Sequence, residues 1–374
     1  MISLPKEFDD IRPYYDSEIP AAMQRIASSP MLSSVLRFIG AEEEPFKNLL
    51  LSVKTTEELQ KKVMFPICKD LISKTMSSFT YDGIENASPS VGRLFVSNHR
   101  DIVLDAYLQQ LALVENGIPT SHITFGSNLM EPGFVVDVGL SNKMFRTERK
   151  SSDFQAFLNS SIHLSQYINY VTSHGESVWI AQRNGRTKDG YDKTEPGLLR
   201  MLLIGDDKRQ SLENLNITPV AVSYQWEPCD ILKAVELYRS RDGKAYVKAP
   251  GEDLHSIITG LLSPKGNVHV SMCPQVSADD YSSVIRRSDM TAIVAEMDRK
   301  IYAAYRLWDT NYVASDILNG RDEYADYYDA ALKEEFIARM TKAIEAYPDC
   351  DASALREIYL RIYAGAVNPS SGRE

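Results

Sequence analysis

Cysteine is scarce: four in 374 residues, at positions 68, 229, 273 and 350, and no two in a CxxC pair. Such spacing excludes a disulfide framework or a cysteine zinc site and leaves free, buried thiols in a reducing compartment. The six histidines form neither HExxH nor His-x-His, so no metal is expected. No apolar run nears the ~20 residues that span a bilayer. The first residues place Glu7, Asp9 and Asp10 after Lys6, which is not the positive-then-apolar order of a signal peptide. No GxSxG elbow of a serine hydrolase is present. A basic surplus is also missing. Asp and Glu number 51 against 41 Lys and Arg, a net charge of -10, which argues against nucleic acid as a partner and against broad adhesion to anionic lipid. A protein of the cytoplasm is expected, free or peripheral on the inner face of the cytoplasmic membrane.

What is present is a chain 44% hydrophobic and 25% charged, enough for one large domain with appendages or for two domains. Residues 1–84 read as a helical N-terminal region. Ser17 to Ile26 is one helix. Thr55-Thr56-Glu57-Glu58 has the form of a capping box and opens a second helix toward Met76, kinked at Pro66. Tyr81 to Val91, rich in Gly, Asn, Ser and Pro, reads as a loop. Over residues 85–280 short apolar runs alternate with helices. Strands are expected at Leu94–Val96, His122–Phe125, Lys143–Thr147, Ser177–Ala181, Thr218–Tyr224 and Asn267–Met272, with helices at Ile102–Val114 and Ser151–Tyr170. This alternation predicts an α/β fold, a mostly parallel buried sheet flanked by helices. Residues 281–374 read as a helical C-terminal region with helices at Met290–Trp308, Glu323–Ala346 and Ala352–Ala364. Tyr302, Tyr305 and Trp308 would share one face of the first, packed on the core or, alternatively, turned to a membrane interface.

The chemistry concentrates at three places. His99 follows the apolar strand LFVSN, at the strand end where open α/β sheets carry their sites. Asp101 and Asp105 follow it, and a histidine paired with a carboxylate is the arrangement of a general base. Asp101, just before the helix, is a natural N-cap. Asp105 is the expected partner of His99, with Asp101 as the alternative. The second place is Lys143 to Lys150, holding Arg146 and Arg149. The third is Arg183 to Lys193, straight after the strand SVWIA. Arginines beside a glycine loop with free N–H groups suit a phosphate monoester, and the two cationic segments together are expected to form one local phosphate pocket inside an acidic protein.

In these residues the chain resembles the glycerolipid acyltransferases, the bacterial glycerol-3-phosphate and 1-acylglycerol-3-phosphate O-acyltransferases. SNHRDIVLDA is similar to their His-plus-Asp motif. MFRTER is similar to the block whose arginine contacts substrate phosphate, with Arg149 the better match and Arg146 the alternative. WIAQRNGRTKDG resembles the third block, ITPVAVSY the fourth, and NVHVSMCPQVS the closing strand. The likeness covers roughly residues 85 to 280. Two positions depart from the pattern. Five residues separate His99 from Asp105 where the family has four, and Asn184 stands where the family has Glu, although Gly185 and Arg186 remain; the spacing there is one residue short, which leaves Arg183 as the alternative to Arg186.

The resemblance implies an enzyme that moves a fatty acyl group from an acyl thioester, acyl-CoA or acyl carrier protein, to a hydroxyl of glycerol-3-phosphate or 1-acylglycerol-3-phosphate in phospholipid synthesis. It implies His99 as base, Asp105 or Asp101 as its partner, and Arg149, Arg146, Asn184, Gly185, Arg186 and Lys188 around the phosphate. No bound cofactor and no metal are implied. Two other readings stay open: an acyltransferase acting on an amino-acid or sugar lipid, and a non-catalytic lipid- or carrier-binding scaffold. Peripheral contact with a membrane, through the N-terminal helices or the aromatic face near Tyr302, is an expectation of the same kind.

Overall fold

The computed structural model describes residues 2–126, 133–147, 154–203, 208–241, 243, 246–277 and 290–367, with only the backbone at 154. Seven strands form one sheet: β1 (Met76–Asp82), β2 (Leu94–Ser97), β3 (His122–Gly126), β4 (Met144–Thr147), β5 (Val178–Ala181), β6 (Thr218–Tyr224) and β7 (Gly266–Met272). Their order is β1-β7-β6-β2-β5-β3-β4. The five from β6 to β4 run parallel, β7 pairs antiparallel with β6, and β1 runs parallel to β7. The fold is therefore α/β with a mostly parallel sheet.

The inner strands β2, β5 and β6 are buried on both faces, and side chains alternate between two cores, as a period of two requires. Leu94, Val96, Val178 and Ile180 pack on one face against α8 (Phe154–Ser173), α9 (Pro196–Leu202), α10 (Lys208–Leu215) and α13 (Thr291–Ala304). Phe95, Trp179, Val220 and Val222 pack on the other face with α6 (Leu104–Glu115), against which α5 (Phe65–Thr75) also lies. The connection from β2 to β3 crosses one face and that from β5 to β6 crosses the other. The crevice between such opposed crossovers, at the carboxyl ends of the strands, is where open α/β sheets bind ligands.

The N-terminal region supplies α1 (Ile19–Ser28), α2 (Pro30–Ile39), α3 (Glu43–Ser52) and α4 (Thr56–Leu59), then a π-turn at Gln60–Met64 that runs into α5. Thr55 Oγ1 accepts the Glu58 N–H at 3.1 Å, while the Glu58 carboxylate takes the Lys54 N–H and not that of Thr55, so the capping box is half formed. The π-turn falls just before Pro66, which has no N–H to give. Strand β1 was not legible in MSSFTYD. It begins where α5 ends and lies at the sheet edge, with side chains half-buried or exposed.

Beyond the sheet come α11 (Asp230–Ser240), α12 (Glu252–Leu262), α14 (Asp309–Asn319), α15 (Ala330–Glu345) and α16 (Ala352–Ala364); α7 is Gly133–Ser141. The helix expected to reach Trp308 stops at Ala304. Tyr305 leaves it in an extended conformation and turns inward, its ring buried 5.1 Å from the Arg100 guanidinium. Burial over a buried cation outweighs one more helical turn; Tyr305 joins the core, while Tyr302 and Trp308 are half-buried. All four cysteines are unpaired and buried. Among the described residues no helix is long and apolar enough to cross a membrane, and no group of His, Cys, Asp and Glu is arranged to hold a metal.

Candidate active site

The site is assembled from the turns that follow β2, β5 and β6. His99 lies two residues beyond β2, with its ring buried except for about 9% of its surface. Its Nδ1 donates to Asp105 Oδ2 at 3.0 Å. That bond places the proton on Nδ1 and leaves the Nε2 lone pair as acceptor. Asp105 sits in the first turn of α6 and is fully buried. Its Oδ2 also accepts the N–H groups of Arg100, at 2.6 Å, and Asp101, at 2.8 Å. Its Oδ1 accepts the Tyr224 hydroxyl at 2.8 Å. Burial and the neighbouring Asp105 and Asp101 charges hold the Tyr224 phenol well above its usual range, so it remains a donor.

Asp101 takes the other role open to it. Its Oδ1 accepts the N–H groups of Val103 and Leu104 at 2.9 and 2.8 Å, which caps the start of α6. The five-residue interval thus gives one carboxylate to the helix end and the next to the histidine. Gly260 of α12 faces Asp101 so closely that a Cβ there would stand 2.2 Å from Asp101 Oδ2.

Arg100 points the other way, into a fully buried ionic cluster. Its Nη2 lies 2.7 Å and its Nε 3.2 Å from Asp192 Oδ2, and Nη1 lies 3.4 Å from Glu227 Oε2. Lys233 Nζ bridges Glu227 Oε1 and the Arg100 carbonyl, at 2.6 Å each. Asn98 donates to Asp192 and exchanges two hydrogen bonds with the backbone of Val222. Two cations and two carboxylates balance in this cluster, and the SNHRD turn is fixed from below. Sequence reading singled out none of Asp192, Tyr224, Glu227 and Lys233, because polar residues 92 to 133 positions from their partners in and beside the turn leave no local pattern.

The turn after β5 is tied to the histidine by its backbone: the Thr187 N–H donates to the His99 carbonyl at 2.6 Å. Arg186 is 93% buried by residue surface, 7% remaining exposed. Its guanidinium reaches the Cys229 thiol, its Nη1 has no hydrogen-bond partner, and no carboxylate among the described residues pairs with it. Burying an unpaired charge costs on the order of several kcal/mol, a cost that an anion at this guanidinium would offset. Gly185 takes φ +79 with open space where a Cβ would be, and Asn184 is exposed beside it.

The other cations scatter. Lys188 is ion-paired with Glu236, and burial lowers its ammonium below the usual lysine range. Arg146 is exposed on the edge strand β4, and Arg149 lies outside the described residues. Lys143 goes to the opposite end of the sheet. There its Nζ donates to the Thr120 carbonyl at 3.0 Å beside a cavity of about 600 Å³ that Gln60, Thr120 and Glu176 also line. Of the second segment, Lys143 does not join Arg186: it stands just before β4, at the end of the sheet away from His99.

The comparisons add little to this geometry. No protein-family model matches the chain, and no curated protein does. Among solved structures, the crystal structure of the 1-acyl-sn-glycerophosphate (LPA) acyltransferase PlsC from Thermotoga maritima aligns with a TM-score of 0.33 at 12% identity, over 76% of this chain and 97% of that one. A likeness of that size decides neither reaction nor substrate.

Proposed function

We propose that this protein is an O-acyltransferase that moves an acyl group from a thioester, acyl-CoA or acyl carrier protein, to a hydroxyl of glycerol-3-phosphate or 1-acylglycerol-3-phosphate. The observation that carries this reading is a buried His–Asp pair hydrogen-bonded to the turn of a buried arginine that has no carboxylate partner among the described residues. The first is a general base and the second a receptor for an anion, and a phosphate-bearing alcohol needs both.

In this mechanism His99 Nε2 takes the proton of the acceptor hydroxyl as its oxygen attacks the thioester carbonyl carbon. The C–O bond forms and the C–S bond breaks. The thiolate leaves with the proton returned by His99. Asp105 faces the imidazolium that exists between the two proton transfers. A positioned base of this kind contributes about 10²–10⁴ in rate. Arg186 holds the phosphate and sets the hydroxyl at the ring, and such positioning supplies much of the remainder. No covalent enzyme intermediate is required.

An acceptor panel tests the reading. With acyl-CoA or acyl carrier protein as donor, free thiol is expected with glycerol-3-phosphate or its monoacyl form and far less with glycerol. Equal release with glycerol would rule out the phosphate requirement. Turnover on amino-acid or sugar lipids alone would transfer the assignment to that acceptor class. Thermal stabilisation by the substrates without thiol release would make the protein a binding scaffold.

A further inference from the structure

The two oxygens of Asp105 have different neighbours. Oδ2 takes the His99 ring and two backbone N–H groups, while Oδ1 has a single donor among the described residues, the Tyr224 hydroxyl. A carboxylate turns easily about its last torsion. The three donors on Oδ2 pin one atom and leave the plane free to swing about it. The fourth donor, on the opposite oxygen, fixes the plane.

Tyr224 is well placed for this. It ends β6, the strand beside β2, and its ring is 1% exposed, within the same core as Phe95, Leu104 and Val222. Its hydroxyl therefore has little freedom to follow a carboxylate that turns. We infer that Tyr224 is a positioning residue: it holds Asp105 Oδ1 so that Oδ2 stays aligned with His99 Nδ1 and Nε2 stays free to act as base. This rests on the proposed acyl transfer and deepens it.

The experiment is a double-mutant cycle on thiol release, with Tyr224→Phe, Asp105→Asn and both together, alongside His99→Ala and the thermal midpoint of each variant. Tyr224→Phe should lower kcat roughly ten- to hundredfold, the size of one hydrogen bond to a charged group. The acceptor KM should stay within about twofold. In the Asp105→Asn background Tyr224→Phe should cause no further loss, since its effect passes through that carboxylate. Tyr167→Phe, a buried tyrosine at the opposite end of the sheet whose hydroxyl bonds His122, should leave kcat unchanged. An unchanged kcat in Tyr224→Phe, or an equal loss in both backgrounds, overturns the inference and leaves the acyl transfer standing. Full thiol release in His99→Ala overturns His99 as the base, and the inference with it.

Discussion

Thr187 gives its N–H to the carbonyl of His99 at 2.6 Å, so the turn carrying the base and the turn carrying Arg186 form one hydrogen-bonded unit. In the proposed reaction a phosphate held at Arg186 would thereby be registered to the histidine through the backbone, without depending on any long side chain.

Arg186 is expected to stabilise the ligand at the expense of the empty protein. Arg186→Met should leave the thermal midpoint of the ligand-free protein unchanged or raise it, because a buried charge with no carboxylate partner among the described residues is exchanged for apolar volume. Inorganic phosphate should raise the midpoint of the wild type and not of the variant, and the variant's acceptor KM should rise at least roughly tenfold. A large fall in the ligand-free midpoint would mean that the guanidinium is structural.

Lys188 should matter far less to the acceptor. Its ammonium is already paired with Glu236. Lys188→Ala should change acceptor KM by no more than about twofold, since exposed and half-exposed pairs contribute little. A KM effect as large as that of Arg186→Met would give Lys188 a direct hold on the phosphate.

Lys233→Met should be among the more damaging single changes in the fold. It leaves Glu227 buried without its nearest cation and frees the Arg100 carbonyl. Breaking a buried pair on one side costs about 3–5 kcal/mol, measurable as a lower urea midpoint at constant slope. A change below about 1 kcal/mol would show that the cluster is solvated or dispensable.

The opposite end of the sheet sets the acid response. His122 Nε2 donates to Glu176 Oε2 at 2.5 Å, and its Nδ1 accepts from the Tyr167 hydroxyl at 2.6 Å. Burial holds the His122 imidazole below its usual 6.5, against the pull of Glu176. Burial pushes the Glu176 carboxyl up, but the His122 hydrogen bond and the His122 and Lys143 charges outweigh it and hold it well below the usual range. Both groups are depressed in the folded state, so the unfolded chain binds the extra proton and stability falls as pH falls. The His122 share is complete above about pH 6.5 and fades below it, and the Glu176 share fades below about pH 4.5. The urea midpoint should decline from pH 7 to pH 5, and His122→Asn should flatten that decline. Parallel curves for the two proteins would contradict the assignment.

Much of the fold was legible because its strands are short apolar runs bounded by turn residues, and β6 falls on TPVAVSY as expected. Edge strand β1 was not, since an edge needs no continuous apolar run and MSSFTYD has none. The helix meant to reach Trp308 was overextended because periodicity cannot foresee that Tyr305 turns onto Arg100. At the site, the local pair His99 and Asp105 and the cap at Asp101 were readable from spacing and helix-start chemistry. The partners that come from distant strands and helices were not: Tyr224, Asp192 and Lys233 meet the SNHRD turn only after the sheet forms. Composition counted eight cations in two segments, yet chain direction decides which face the site, and of those described Arg186 alone is buried beside it without a carboxylate.

The central claim is that His99 is the base of an acyl transfer. Its most direct test is free thiol released from acyl-CoA or acyl carrier protein in the presence of glycerol-3-phosphate or its monoacyl form, wild type against His99→Ala, with both proteins shown to be folded by their thermal midpoints. A fall of about 10²–10⁴ in kcat with acceptor KM little changed is the predicted result. Thiol release by His99→Ala at the wild-type rate would contradict it.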